Sequence, residues 1–255
     1  MIIDTDIQKN FRDIHKNKMG FLLGTGASLG AINEDLLKPY VTMAVNISIV
    51  KFPYATYYTS CDGSTWIDNF LDYIPQDSNT TIILDKSLYE WGASKYKEDD
   101  KVWGYEKNQD RNNVSGNPDS SKLIFGVSSI HPSFHLMNVM GCNPIVLLGC
   151  ECKYINGIYS FYMLPEFEDK LHEAFKIRRK GNYSSLAEWH IKTQHFGDGY
   201  SGNTDAHLLT TVGYWKRMNW SNKDLTVIDA CDSIINCFPK MKLEDVLAKY
   251  GDRTI

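Results

Sequence analysis

Polar and small residues that could bind a ligand stand directly after several short apolar runs of the sequence. Such runs, bounded by glycine or polar residues, are typical of strands buried in a parallel sheet. Parallel sheets bind ligands beyond the carboxyl ends of their strands, so these residues can share one edge. Small and amide-bearing residues at this edge suit ribose hydroxyls, a base edge and a diphosphate. The positions are Gly24 to Ser28, Asn46, Ser60 to Asp62, Ser128-Ser129, and Gly149 to Glu151.

The first of these positions is a glycine-containing turn after the apolar run Met19 to Leu23. Gly24 and Gly26 permit a sharp turn and a close approach to a ligand. Ser28 can cap a following helix, whose N-terminus would attract phosphate. The third glycine of the dinucleotide fingerprint falls at Leu29, and the Gly-Lys-Ser/Thr of a phosphate loop is absent. A nucleotide site and a tight turn without a ligand both remain open.

A glycine-rich polar loop later in the chain carries the candidate general base. His195 lies there with Asp198, and Tyr200 follows. Histidine titrates near neutral pH and is the usual proton acceptor in such a position. His135, in a predicted helix, is expected to be a packing residue instead. Asp99-Asp100 lies in a charged cluster away from any strand end, so no Asp-x-Asp metal site is predicted.

Strands that alternate with helical stretches predict an α/β protein with a Rossmann-like, mostly parallel sheet flanked by helices. Residues 1–255 are expected to form a single nucleotide-binding domain, with 89–122 and 154–204 as loop or lid excursions. Strands are predicted at 19–23, 41–49, 55–60, 81–84, 123–127, 144–148 and 225–229. Helices are predicted at 6–16, 31–40, 64–73, 132–140, 167–180, 206–218 and 242–249.

Composition narrows the class of protein. The 255 residues are 43% apolar, enough for a sizeable core, and the net charge of −4 with a pI near 6.0 argues against broad nucleic-acid binding. No signal layout or apolar run of membrane-spanning length is present, so a soluble, cytoplasmic protein is expected. The six cysteines are then expected to be reduced thiols, and Cys150-x-Cys152 lacks the spacing of a zinc site.

The order of the motifs resembles the bacterial lipooligosaccharide sialyltransferases. That family carries Gly-Asn-Gly-Pro-Ser-Leu, an asparagine at the end of strand two, Thr-Ser-Gly before a helix, and then a strand ending in Ser-Gly-Ile-Asp. Two later motifs of the family are Tyr-Gln-Asn-Gly and His-Ser-Lys-Asn-Thr-Asp. The similar stretches here are Gly24 to Leu29, Asn46, Ser128 to Ile130, Gly141 to Glu151, Tyr154 to Gly157, and Tyr200 to Asp205. The resemblance covers roughly residues 19 to 240. It extends to motility-associated glycosyltransferases, hydroxymethylpterin diphosphokinase-like proteins and phage-encoded proteins.

The resemblance implies the fold of nucleotide-sugar glycosyltransferases in a variant form. In such a site the nucleotide would be held by Gly24, Thr25, Gly26, Ser28, Asn46, Asp62, Ser128 and Ser129, and the phosphate or the rest of the donor by Glu151, Tyr154 and Tyr159. Three departures from the family pattern bear on the donor and the base. The family's base histidine falls on Tyr200, so His195 is the first candidate for that role and Tyr200 the second. The family's loop asparagine is Thr25, and the glycine after the serines is Ile130.

The leading hypothesis is a glycosyltransferase that moves a sugar from a CMP- or UDP-linked donor to an acceptor hydroxyl. It needs no tightly bound cofactor, and Mg²⁺ or Mn²⁺ can assist without being required. The acceptor is a glycan, a protein or a modified base; DNA is disfavoured by the acidic pI. The alternatives are a pterin-type diphosphokinase that uses ATP and Mg²⁺, and a non-catalytic nucleotide- or sugar-binding protein. Homo-oligomerisation remains open.

Overall fold

The protein is described by a computed structural model that covers residues 5–61, 70–88, 102–110, 112–156, 158, 160–164, 166–167, 206–219 and 222–255. Its centre is a seven-stranded, all-parallel sheet in the order β5-β4-β3-β2-β1-β6-β7. The strands are β1 Gly20–Leu23, β2 Val41–Val45, β3 Tyr57–Ser60, β4 Thr81–Asp85, β5 Val102–Tyr105, β6 Ile145–Leu148 and β7 Val227–Asp229. The predicted α/β, Rossmann-like architecture is confirmed.

Strand β1 lies at the middle of the sheet and is buried along its whole length. It pairs with β2 on one side, where Phe21 lies opposite Thr42, and with β6 on the other, where Phe21 lies opposite Val146. Phe21 and Leu23 face one hydrophobic cluster and Leu22 faces the other. A strand buried on both faces has a continuous apolar sequence, and this prediction for β1 is also confirmed.

Helices cover both faces of the sheet. They are α1 Ile7–Phe11, α2 Ile130–Val139, α3 Ala206–Arg217 and α4 Leu243–Tyr250, with 3₁₀ turns at Ala27–Ala31, Glu34–Leu36, Asn46–Val50 and Phe161–Met163. On the Leu22 face the core includes Phe134 of α2 and Trp215 of α3. On the opposite face, Leu29 of the first 3₁₀ turn and Val246 of α4 belong to the same hydrophobic cluster as Phe21. None of the described helices is long and apolar enough to cross a membrane.

The prediction of a helix over residues 31–40 was wrong. Only two short 3₁₀ turns form between β1 and β2. The Asn33 side chain accepts a hydrogen bond from the Asp35 amide at 3.1 Å, a local bond that competes with helix formation. Pro39 then ends the segment. The strand predicted over 123–127 was also wrong, because there only Leu123 pairs, in a single bridge with Lys107.

Part of the predicted excursion 89–122 belongs to the sheet. Strand β5 pairs in parallel with β4 and forms one edge, so this stretch of the segment is not a loop. The rest of its described portion, 106–110 and 112–122, is a connection with side-chain-stabilised turns, for example at Asn108 and Asp110. In the other predicted excursion, Ile155 and Ile158 pair antiparallel as a hairpin would. Residues 168–204 of that excursion lie outside the described residues.

Candidate functional site

A pocket opens at the carboxyl ends of β1, β2 and β6. Because β1 pairs with β2 on one side and with the much later β6 on the other, this is the point where the strand order reverses. Open α/β sheets bind ligands in the crevice at this switch point. Six residues predicted from the sequence line the pocket: Gly24, Thr25, Gly26, Asn46, Ser128 and Glu151. The structure therefore brings together most of the described residues that were predicted to bind the nucleotide.

The pocket is partly enclosed and partly open toward solvent. The cavity has a volume of about 90 Å³, and the empty space including the open mouth is about 610 Å³. The cavity can therefore hold several water molecules or a ligand group of similar size. A larger ligand would extend through the mouth.

The glycines of the first turn serve contacts between two strand ends. The Gly24 amide donates to the Leu148 carbonyl at 2.8 Å, and the Gly26 amide donates to the Gly149 carbonyl at 2.7 Å. A Cβ on Gly24 would collide with the Gly149 carbonyl. Gly149 itself has φ +65°, which favours glycine. The sequence suggested that a ligand approaches these glycines closely. In the structure, the backbone at the end of β6 makes that close approach.

Glu151 occupies the inside of the glycine turn. Its Oε1 accepts hydrogen bonds from the Ser28 amide at 3.1 Å and from the Ser28 hydroxyl. Its carboxylate also lies against Gly26, where an added Cβ would meet Oε2. The prediction that Ser28 caps the following helix was wrong, because Gly26 is the N-cap of the 3₁₀ turn and no side chain caps it. The protein's own carboxylate therefore fills the position expected for an anion.

Burial dominates the electrostatics around Glu151. Burial raises the pKa of its carboxyl, Asp229 adds to the rise, and the Ser28 hydrogen bonds oppose it. Burial likewise raises the pKa of Cys152 to about 12, with Glu151 and Asp229 contributing, and that of Cys150 well above its usual range. The two thiols thus stay protonated at neutral pH, and neither is an activated nucleophile.

Asn46 forms a second wall of the pocket. It follows β2 with φ +54°, a left-handed conformation that asparagine tolerates better than most residues. Its Nδ2 donates to the Ser129 hydroxyl at 3.4 Å, and Ser129 also lies 3.0 Å from the Cys61 sulfur. Ser129 is the N-cap residue of α2, without a side-chain capping bond. This hydrogen bond joins Asn46 to the start of α2.

One face of α3 completes the pocket, and the sequence reasoning missed it. Leu208, Thr211 and Trp215 are spaced by three and four residues, so they lie on the same side of the helix. The Trp215 ring packs edge-on against the Phe134 ring, with 5.1 Å between the ring centroids, and its centroid lies 4.8 Å from that of the His131 ring. The spacing was visible in the sequence, but it could not indicate which strand ends α3 would cover.

Several predicted residues cannot be placed in this pocket. His195, Asp198, Tyr200, Asp62 and Tyr159 lie outside the described residues. Tyr154 is described and buried, but it is not among the residues that line the pocket. Within the described ranges, no group of three or more His, Cys, Asp or Glu residues is arranged to hold a metal ion.

Comparisons with protein-family models, with curated proteins and with solved structures find no match for this chain. The sialyltransferase resemblance therefore stays a prediction carried by its motifs. The argument for function depends on the position and lining of the pocket.

Proposed function

We propose that the protein is a glycosyltransferase that binds a nucleotide-activated sugar at the switch-point pocket. The observation that carries the proposal is the convergence of Gly24 to Gly26, Asn46, Ser128 and Glu151 at this one edge of a parallel sheet. Switch-point crevices are where open α/β sheets bind nucleotides. The motif order that resembles the sialyltransferases involves the same residues and supports the same conclusion.

In the proposed reaction an acceptor hydroxyl attacks the anomeric carbon of the donor sugar. A carbon–oxygen bond to the acceptor forms, and the bond from that carbon to the phosphate oxygen breaks. The nucleotide leaves with the electron pair, and the acceptor proton passes to His195 or, in the second assignment, to Tyr200. Asn46 and Ser128 supply amide and hydroxyl groups for the nucleotide. The α2 N-terminus beside Ser128 favours a negatively charged group.

A nucleotide panel tests this proposal by thermal unfolding. We expect CMP or UDP, and their sugar conjugates, to raise the stability of the protein, by about 2.7 kcal/mol when the ligand is at 100 times its Kd. Asn46→Ala removes a pocket amide and should reduce the shift, whereas Asn112→Ala, at an exposed position, should leave it unchanged. Sugar transfer should then be lost in His195→Ala.

Three results would change the conclusion. Stabilisation only by ATP with Mg²⁺ would favour the diphosphokinase. Transfer that survives His195→Ala and is abolished by Tyr200→Phe would move the general base to Tyr200. The absence of a shift with every nucleotide would overturn the proposal.

A further inference from the structure

Two hydrogen-bonding atoms in the switch-point pocket have no partner within the described part of the chain. They are the carboxylate oxygen Glu151 Oε2 and the indole nitrogen Trp215 Nε1. Each of the two residues is only 1% exposed, and both line the pocket. Buried polar atoms in folded proteins are nearly always hydrogen-bonded, to protein, to ordered water or to a ligand. The pair thus marks where a bound molecule is expected to make hydrogen bonds.

The glycine turn does not offer a place for a phosphate. The amide and the hydroxyl of Ser28 already donate to Glu151 Oε1, and Gly26 is covered by the same carboxylate. A phosphate there would meet a buried carboxylate and would find these two donors taken. The negative group of a nucleotide therefore has to lie elsewhere in the pocket or its mouth.

The chemistry of the two atoms favours a partner that carries hydroxyl groups. An indole N–H can only donate a hydrogen bond, and an ionised carboxylate oxygen can only accept one. The Trp215 ring is fixed by Phe134 and by Phe238, whose ring centroid is 5.5 Å away. A hydroxyl group both donates and accepts, so the hydroxyls of a sugar can satisfy each of the two atoms. A phosphate satisfies only the indole.

We propose that Glu151 Oε2 and Trp215 Nε1 bind sugar hydroxyls and that the ligand's phosphate lies outside the glycine turn. The hydroxyls belong to the ribose or to the transferred sugar. This assignment rests on the proposed function for the identity of the sugar. Of the two expected roles of Glu151, contact with the phosphate or with the rest of the donor, it favours the second.

Calorimetry with matched ligands and variants tests the assignment. The probes are CMP and UMP, their 2′-deoxy and 3′-deoxy forms, and UDP with and without an attached hexose. In the unaltered protein, loss of a bound hydroxyl should weaken binding roughly 10- to 100-fold, as expected for a hydrogen bond to a charged group. In Glu151→Gln, which keeps an oxygen for Ser28 but replaces the other with an amide, the same loss should change affinity less than about 2-fold.

A second variant tests the donor side. Trp215→Phe keeps an aromatic ring in the core and removes the N–H, so it should weaken hydroxyl-bearing ligands. Trp103→Phe is the matched control, because Trp103 lies on β5 and does not line the pocket. The indole N–H resonance that Trp215→Phe removes should shift in the unaltered protein when the sugar binds.

The outcomes separate this inference from the proposed function. If nucleotides bind but neither the ribose nor the hexose hydroxyls depend on Glu151, the inference is overturned and the proposed function stands. A Trp215 resonance that responds to inorganic phosphate and not to millimolar D-ribose or methyl glycosides also overturns it. If these sugars move the resonance while no nucleotide binds, the inference holds and the proposed function fails. If nothing moves the resonance and no nucleotide binds, both fail.

Discussion

The carboxylate of Glu151 lies where nucleotide-binding folds place a ligand phosphate at a glycine turn. It accepts from the Ser28 amide and hydroxyl, and burial raises its pKa. The turn keeps its glycines because the carboxylate and the Gly149 backbone approach it closely. Contacts within the protein can therefore require a glycine motif, without any ligand on the glycines themselves.

Gly26→Ala tests this interpretation at a single residue. The new methyl group would collide with the Glu151 carboxylate, which the surrounding core confines. We expect a loss of roughly 1 to 3 kcal/mol in the free energy of unfolding, the usual cost of overpacking a close contact. Urea denaturation measures it.

Two variants control that measurement. Gly213→Ala, in α3 where an added Cβ meets nothing within 4 Å, should raise stability by up to about 1 kcal/mol. Adding Glu151→Ala to Gly26→Ala should recover part of the loss, because it removes the colliding group. If the double variant shows simple additivity, the carboxylate is not what requires glycine at this position.

At the level of elements, a short 3₁₀ turn sets the position of the Asn46 wall. Ser48 is fully buried in this turn. Its hydroxyl accepts from the Val45 amide at 2.7 Å and donates to the Leu23 carbonyl at 2.9 Å. It therefore joins the ends of β1 and β2, directly beside the pocket.

Ser48→Ala should lower the free energy of unfolding by about 1 to 3 kcal/mol, because the buried Val45 amide loses its partner. Nucleotide affinity should fall with it, since Asn46 is no longer held in its left-handed conformation. Ser121→Ala, at an exposed position, should change stability by less than about 0.5 kcal/mol. Unfolding curves and calorimetry on the same preparations check both effects, and unaltered affinity in a destabilised Ser48→Ala would contradict the link to Asn46.

The strands near the site were predictable where the sequence carries a local pattern. Apolar runs such as Phe21 to Leu23 and Ile145 to Leu148 identified buried strands, and the polar residues after them identified the pocket edge. Strand β5 was missed, because four residues that include Gly104 and Trp103 carry no clear alternation. The helix predicted over 31–40 failed for a local reason, the side-chain turn at Asn33.

The parts of the site that the sequence did not predict depend on tertiary structure. Nothing near Ser28 in the sequence indicates that a carboxylate 123 residues away binds its amide. Trp215 likewise reaches the pocket only because α3 packs beside α2. A buried donor or acceptor without a partner becomes visible only when the whole neighbourhood is assembled.

At the scale of the whole molecule, the crevice at the switch point is built from two parts of the chain that are far apart in sequence. Residues before 62 supply β1 to β3 and the Asn46 wall, while residues after 127 supply α2, β6 and α3. In its described part, the segment between them forms β4, β5 and the connection that leads to α2. Hydrogen bonds attach this connection to α2. His135 makes that attachment, since its Nδ1 accepts from the Ile124 amide at 3.0 Å and its Nε2 donates to the Asn117 carbonyl at 2.8 Å.

The attachment should make the whole fold sensitive to acid. Burial lowers the pKa of His135 to about 4, below its ordinary value of 6.5. Between those values the unfolded chain binds a proton that the folded protein does not, so stability falls as the pH falls. His135 should contribute a loss of up to about 3 kcal/mol by the lower end of this range.

Urea denaturation at about pH 7, 5.5 and 4.5 should show a shallower decline in His135→Gln, despite its lower stability at neutral pH. The matched control is His15→Gln, because burial also lowers the pKa of His15, but that side chain is only partly buried and should contribute less. Parallel pH profiles for the unaltered protein and His135→Gln would show that His135 does not govern the acid response.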